Sequence, residues 1–342
     1  MTRNRPIVRG AARRGIRSIR AALRLAARRR SLRRLMQLGV GEATAAMTDT
    51  VDEVRYGSAY FGRSRGKTGQ GGTVSGYAQY HRASSRLDVA AYLLWRFLPD
   101  GRSLDVGCAL GFLVEALRDL GEDAIGVEYS DYAARHAAPG AAGYVLQGDL
   151  LAGLPFRDSW FDIVTAFEVL EHLPPDQIPD AIRELRRVCR GWVVITVPSI
   201  GLNEHGPDGF LERKVRDEEL DRYYALGPEY QGPVAYDDLY RDVSGNPIEG
   251  HLTIASFTWW TRQFEAAGFA RCGEMEARIH PQIRRFGLAT LWNLYVFRLP
   301  GQPISSPHLR TPEQIEQAEK TLPFLREQPQ PDPPPSRYLP SN

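Results

Sequence analysis

Two acids, Asp105 and Glu128, each lie at the end of a short apolar run, and a turn of small residues, Gly107-Cys108-Ala109-Leu110-Gly111, lies between them. A carboxylate at a strand tip can accept hydrogen bonds from both hydroxyls of a ribose, and a turn with little bulk lets a ligand lie against the backbone. The pattern suits recognition of a nucleoside. A pyrophosphate asks for something else, G-x-G-x-x-G, so that its oxygens approach the chain closely. Here the second and third glycines would be Ala109 and Phe112, and that pattern fails twice. A second glycine-rich stretch, Gly62-Arg63-Ser64-Arg65-Gly66-Lys67-Thr68, has three residues between its glycines and no clear strand before it. A phosphate loop needs four and a preceding strand. For proton transfer the candidates are His172 and His251. His205, with Glu204 and Asp208, lacks a recognisable metal-ligand spacing.

The elements that must position these groups follow from periodicity. Residues 103–106 read as a strand, Leu113, Leu117 and Leu120 recur at helical spacing, and a second strand ends on Glu128, giving a βαβ unit. A third strand-like run, 144–146, precedes Gln147-Gly148-Asp149-Leu150. The stretch from Leu154 to Leu173, L-P-F-R-D-S-W-F-D-I-V-T-A-F-E-V-L-E-H-L, leads to a helix over 181–188 and a strand over 192–197 that ends at Pro198. Helix 85–97 is expected to pack ahead of the first strand, helix 256–267 follows His251, and strands are predicted over 269–279 and 291–299.

Taken together these segments resemble the class I adenosylmethionine-dependent methyltransferases. Asp105, Gly107 and Gly111 match the D/E-x-G-x-G-x-G turn of that family, with Ala109 in place of the middle glycine. The 154–173 stretch is similar to the family's L-P-F-x-D-x-S-F-D-x-V run and E-H-L tripeptide, whereas Arg190-Gly191-Trp192 replaces a K-P-G-G turn and shortens the loop before strand five. The resemblance is close over residues 100–200 and weaker to 299. It implies an α/β fold with a Rossmann-like, seven-stranded, mostly parallel sheet, helices on both faces and an antiparallel last strand. It implies adenosylmethionine as cofactor, held at Asp105, Gly107, Cys108, Ala109 and Gly111, at Glu128 and Tyr129, and at Phe167 and Glu168. Asp149 would contact the adenine amino group while Leu150 packs on the ring.

The subgroup most resembled methylates small molecules, as in quinone biosynthesis and glycan pathways. The expected reaction is methyl transfer to a small-molecule acceptor, a hydroxyl of a sugar or secondary metabolite, with His172 or His251 as base. Two segments would select the acceptor. One is 55–98, where Tyr56, Tyr60, Phe61, Tyr77 and Tyr80 flank the glycine-rich loop, as a lid or as cover for the sheet edge. The other is an insertion over 199–255, following strand five and rich in tyrosine. An RNA methyltransferase is the alternative that a basic arm suggests. The N/D-P-P-Y motif of enzymes that methylate exocyclic amines is replaced after strand four by Phe167-Glu168-Val169-Leu170. A non-catalytic adenosylmethionine-binding scaffold is a third reading, disfavoured by the intact set Asp105, Glu128 and Asp149.

Charge divides the chain unevenly. Residues 1–41 carry 13 Arg and no acid, leaving 30 basic against 41 acidic residues in the remainder, so a net charge of +2 conceals an acidic body. The arm could rest weakly on an anionic membrane or RNA, could be a transit peptide, or could be a solvated tail, partly helical or disordered. No apolar run approaches the ~20 residues needed to span a bilayer. Cys108, Cys189 and Cys272 are odd in number and lack paired metal spacing, which with the absence of a signal-peptide core suggests a soluble, cytoplasmic protein with no metal. The expected domains are the arm 1–41, a lid and helical segment 42–98, the core 99–299 with its insertion, and a Pro-rich tail 300–342 holding 11 of the 24 prolines. Within that tail Thr311, Pro312 and Gln314 form a capping box for one short helix. Oligomeric state leaves no mark on the sequence.

Overall fold

The computed structural model describes Tyr56, Arg82 and residues 87–201, 203, 252–286, 293–304 and 309–322, with the backbone of three short strands between 233 and 249. The chain divides into two units, residues 1–44 with 155–157, and the rest. The first lies almost wholly outside the described residues, and the described helices and strands all belong to the second.

In chain order the elements are α1 (Leu87–Phe97), β1 (Arg102–Val106), α2 (Phe112–Asp119), β2 (Asp123–Glu128), α3 (Asp131–Arg135), β3 (Val145–Gln147) and β4 (Phe161–Phe167). A short 3-10 turn, Leu170–His172, leads to α4 (Ile178–Val188) and β5 (Cys189–Thr196). Then come β6 (Ser199–Ile200), β7 (Pro233–Val234), β8 (Tyr240–Arg241), β9 (Pro247–Glu249), β10 (Ile254–Ser256) and α5 (Phe257–Ala266). The series closes with β11 (Ala270–Arg271), α6 (Gly273–Arg285), β12 (Leu294–Arg298) and α7 (Pro312–Thr321).

The main sheet has seven strands in the order β11-β12-β5-β4-β1-β2-β3. Strands β1 to β5 pair in parallel, and β12 runs antiparallel to both β5 and β11. The predicted fold class is therefore observed. Strands such as W-V-V-I-T in β5 are buried along their whole length because helices pack on the sheet, which explains why they read as apolar runs rather than alternating ones. Helix α4 buries Ile178, Ala181, Ile182, Leu185 and Val188, one apolar stripe at helical spacing. Strand β1 sits between β2 and β4, where chain order reverses, and the carboxyl ends of strands at such a point form the crevice that holds ligands in open α/β sheets.

Three boundaries differ from the sequence expectation. Strand six is only Ala270–Arg271, paired to Arg298 and Phe297, and most of the predicted 269–279 strand is helix α6. The reason is periodic: Met275, Ile279 and Ile283 recur every four residues and all three are buried. Strand β5 starts at Cys189 directly after α4 rather than at Trp192. Its pairing with β4 shifts register between Phe161 and Ile163, and a Cβ on Gly191 would lie 2.4 Å from the Asp162 carbonyl oxygen, so the backbones meet too closely for any side chain. Strand β3 is displaced by one residue from 144–146.

The two ends of the insertion pair with each other. Strand β10 runs parallel to β6 and antiparallel to β7, forming a small three-stranded sheet, while β8 and β9 form a hairpin. In the tail, α7 begins with the predicted capping box, Thr311 accepting from the Gln314 N–H and Gln314 from the Thr311 N–H. The arm, the glycine-rich loop and residues 323–342 lie outside the described residues.

Candidate active site

The turn after β1 is built from alternating left-handed residues: Gly107, Ala109 and Gly111 have φ of 69°, 48° and 75°. A Cβ on Gly107 would sit 2.5 Å from Val169 Cγ2, and one on Gly111 would sit 2.8 Å from Ala141 Cβ. Ala109 adopts the same conformation with a methyl group in place, buried against Ala133 with Tyr56, Leu110 and Tyr132 packed around them. A left-handed alanine costs roughly 1 kcal/mol, a strain of the kind that collects at functional sites.

Glu128 fastens this turn. Its carboxylate accepts the Ala109 N–H at 2.7 Å and the Ser130 N–H at 2.9 Å. Ser130 then caps α3 by accepting from the Ala133 N–H, and its hydroxyl donates to the Tyr56 carbonyl at 2.5 Å. The Tyr56 ring stands edge-on to Tyr129, centroids 6.0 Å apart. One tyrosine of the predicted lid is thus bound at the tip of β2; Tyr60, Phe61, Tyr77 and Tyr80 lie outside the described residues.

Asp105 is buried beside this tip, and the Thr165 hydroxyl of β4 donates to its Oδ1 at 2.7 Å. Burial pushes its carboxyl up to about 7, the Thr165 bond opposes the rise and the neighbouring Glu128 adds to it. Glu128 is also raised by burial, against the pull of the Ser130 and Ala109 amides. The Cys108 side chain points down, where a Cβ on Gly126 would meet its Sγ at 2.5 Å. Burial, with Asp105 and Glu128 close by, raises its thiol well above the ordinary range, so it is no nucleophile. Asp149 is half-buried and accepts the Leu151 N–H at 2.8 Å, and Leu150 is buried.

At the tip of β4, Phe167 is half-buried and Glu168 is exposed in a left-handed conformation, φ 55°, with its N–H on the Thr196 carbonyl. His172 ends the following 3-10 turn, half-buried, its N–H on the Val169 carbonyl. The Glu171 carbonyl accepts from the Leu252 and Thr253 N–H groups at 2.7 and 3.0 Å, and the Thr253 hydroxyl donates to the Leu173 carbonyl. His251 and His205 lie outside the described residues, but the residue after His251 is hydrogen-bonded to the residue before His172. Sequence reasoning missed Thr165 and Ser130. A threonine inside the apolar run I-V-T-A-F was the available signal for the first, and a serine opening a helix after an acid-tipped strand for the second.

Among the described residues no group of three His, Cys, Asp or Glu is placed to hold a metal, and no helix is long and apolar enough to cross a membrane. A cavity of about 840 Å³ opens at the opposite end of the sheet, between α7 and the starts of β1 and β2, lined by Asp100, Glu122, Asp123 and Arg310. It is remote from the carboxyl tips that carry Asp105 and Glu128.

Residues 104–195, which span β1 to β5, match the family model described as a methyltransferase domain. The chain carries a class I adenosylmethionine-dependent methyltransferase domain. The protein is accordingly a methyltransferase whose cofactor is adenosylmethionine. Among curated proteins no sequence matches the chain. Among solved structures it is similar to a Methanosarcina mazei adenosylmethionine-dependent methyltransferase, at 18% identity over 60% of this chain and 96% of that one, TM-score 0.40. It is also similar to the Synechocystis magnesium protoporphyrin IX methyltransferase, crystallised with adenosylhomocysteine, at 17% identity over 73% and 98%, TM-score 0.42. The residues of this methyltransferase turn fit such a cofactor: two buried carboxylates flank a left-handed turn in which Gly107 leaves no room for a Cβ beside Val169, and the ligand offered is cationic and bears ribose hydroxyls.

Proposed function

We propose that this methyltransferase acts on a small molecule, methylating a hydroxyl of a sugar or secondary metabolite. The cofactor supplies an activated methyl group on a sulfonium. The chain's residues bind it, orient the acceptor and take up the hydroxyl proton. Glu128 receives the ribose hydroxyls while still bonded to the Ala109 and Ser130 amides, because an ionised carboxylate accepts about four hydrogen bonds. Asp105 provides negative charge at the methionine end, and Asp149 and Leu150 frame the adenine.

The observation that carries the acceptor site is the backbone tie between Glu171 and Leu252–Thr253. It brings the chain at His172 and the chain following His251 to one place at the tip of β4, where an acceptor hydroxyl and a base belong together. In this reading His172 or His251 is the base, and His172 is the one within the described residues.

The test is calorimetric titration with adenosylmethionine and adenosylhomocysteine, followed by methylation assays on sugars and phenols. Micromolar binding of both ligands, and methyl transfer lost in His172→Ala with binding retained, are the expected results. Tight cofactor binding with activity on RNA alone, abolished by deleting residues 1–41, would replace the small-molecule reading.

A further inference from the structure

Asp105 and Thr165 face each other across the β1–β4 ladder, where they are register partners. Both are buried, at 5% and 1% exposure, and the Thr165 hydroxyl approaches Asp105 Oδ1 at 2.7 Å. The same hydroxyl lies 3.4 Å from the Leu104 carbonyl oxygen, a much weaker acceptor geometry. A hydroxyl carries one proton. Given to Asp105 it stabilises the carboxylate; given to Leu104 it leaves the threonine oxygen to receive a proton from a neutral Asp105. The observed distances favour the first arrangement.

We infer that Thr165 is a positioning residue for cofactor binding, holding Asp105 in one orientation as a carboxylate that can meet a cationic ligand. This inference rests on the assignment of Asp105 to the cofactor site. The groups that act on Asp105 are Thr165 from β4, Glu128 from β2 and the Cys108 thiol from the turn. Glu128 opposes its ionisation, the buried thiol stays neutral, and Thr165 is the donor that favours it. Burial has already raised this carboxyl to about 7, so a modest change in hydrogen bonding moves it across the working pH range. Valine at this position keeps the branched outline of Thr165 in β4 and replaces the donating hydroxyl with a methyl group.

The experiment is calorimetric titration of the full chain with adenosylmethionine from about pH 5.5 to about pH 8.5. Wild type, Thr165→Val, Thr165→Ser and Asp105→Asn are compared, each checked for folding by circular dichroism. The cofactor's own amino group titrates alike in every sample, so differences between variants report on the protein. Wild-type affinity is expected to rise with pH as Asp105 ionises. Thr165→Val should move that rise up by about one pH unit, weakening binding about tenfold on its acid side and leaving it near wild type at the alkaline end. Thr165→Ser should restore the wild-type curve. A Thr165→Val curve lowered equally at every pH, or superimposable on wild type, overturns the inference while leaving the site intact. If the valine variant does not fold, Thr165→Ala serves with the same two criteria. Asp105→Asn should bind weakly with the rise gone; if it keeps the wild-type curve, the assignment of Asp105 itself fails.

Discussion

Replacing Gly107 with alanine tests whether the left-handed turn is what seats the cofactor. Two costs arise from the geometry. At φ 69° an L-residue meets its own carbonyl, costing roughly 1–2 kcal/mol. The new Cβ would also lie 2.5 Å from Val169 Cγ2 and 3.2 Å from Cγ1, and relieving such overpacking costs about 1–3 kcal/mol. Valine is branched at Cβ, so no rotamer removes both of its methyls from the contact, and the β4 tip must shift. A loss of about 3 kcal/mol in unfolding free energy is expected, read from the urea midpoint. Adenosylhomocysteine affinity should fall by at least tenfold because the displaced segment carries Glu168 and leads to His172. The control is Ala109→Gly at φ 48°. Relief of the left-handed strain there is offset by a more flexible unfolded chain and a lost buried methyl, each roughly 1 kcal/mol, so stability should change by about 1 kcal/mol or less. Gly107→Ala with wild-type midpoint and affinity would refute the reasoning, as would an equal effect from both substitutions.

Glu128→Ala strands the buried Ala109 and Ser130 amides and should cost about 2 kcal/mol together with most of the cofactor affinity, Glu128→Gln being milder; unchanged calorimetric affinity in the alanine variant would remove Glu128 from the site. His280 is buried, and burial, reinforced by Arg271 and Arg284, lowers its folded pKa to about 4 from 6.5. Between those values the unfolded chain binds the extra proton, so stability is full above about pH 6.5 and is lost as pH falls through about 4, by about 3 kcal/mol. His280→Leu should flatten denaturation midpoints across that window, and parallel curves would contradict this. Arg271 pairs with the fully buried Glu276 and donates to Asn203 at the start of the insertion; Arg271→Met should therefore cost about 3–5 kcal/mol by leaving a buried carboxylate without its counter-charge, held by the Val296 N–H. Adding Glu276→Leu should recover most of that loss, and a single-variant loss under about 1 kcal/mol would show that the pair is not structural.

Asp105, Gly107, Gly111 and Glu128 were legible in the sequence because a turn against a ligand depends on local features: a strand, small residues, and an acid one βαβ unit away. The capping box of α7 was legible for the same reason, since its partners are three residues apart. Strand six misled because F-A-R-C-G-E-M-E-A-R-I has enough apolar residues for either period, and only packing against the sheet and α1 selects the helix. Thr165 and Asp105 are 60 residues apart in sequence, and only the parallel register of β1 with β4 makes them partners. The tie between Glu171 and Leu252–Thr253 spans a longer interval still. Local chemistry thus set which residues form the acid-flanked turn. Strand register and the closure of the insertion, which depend on burial summed over the whole sheet, decided which groups contact those residues and which backbone meets the tip of β4.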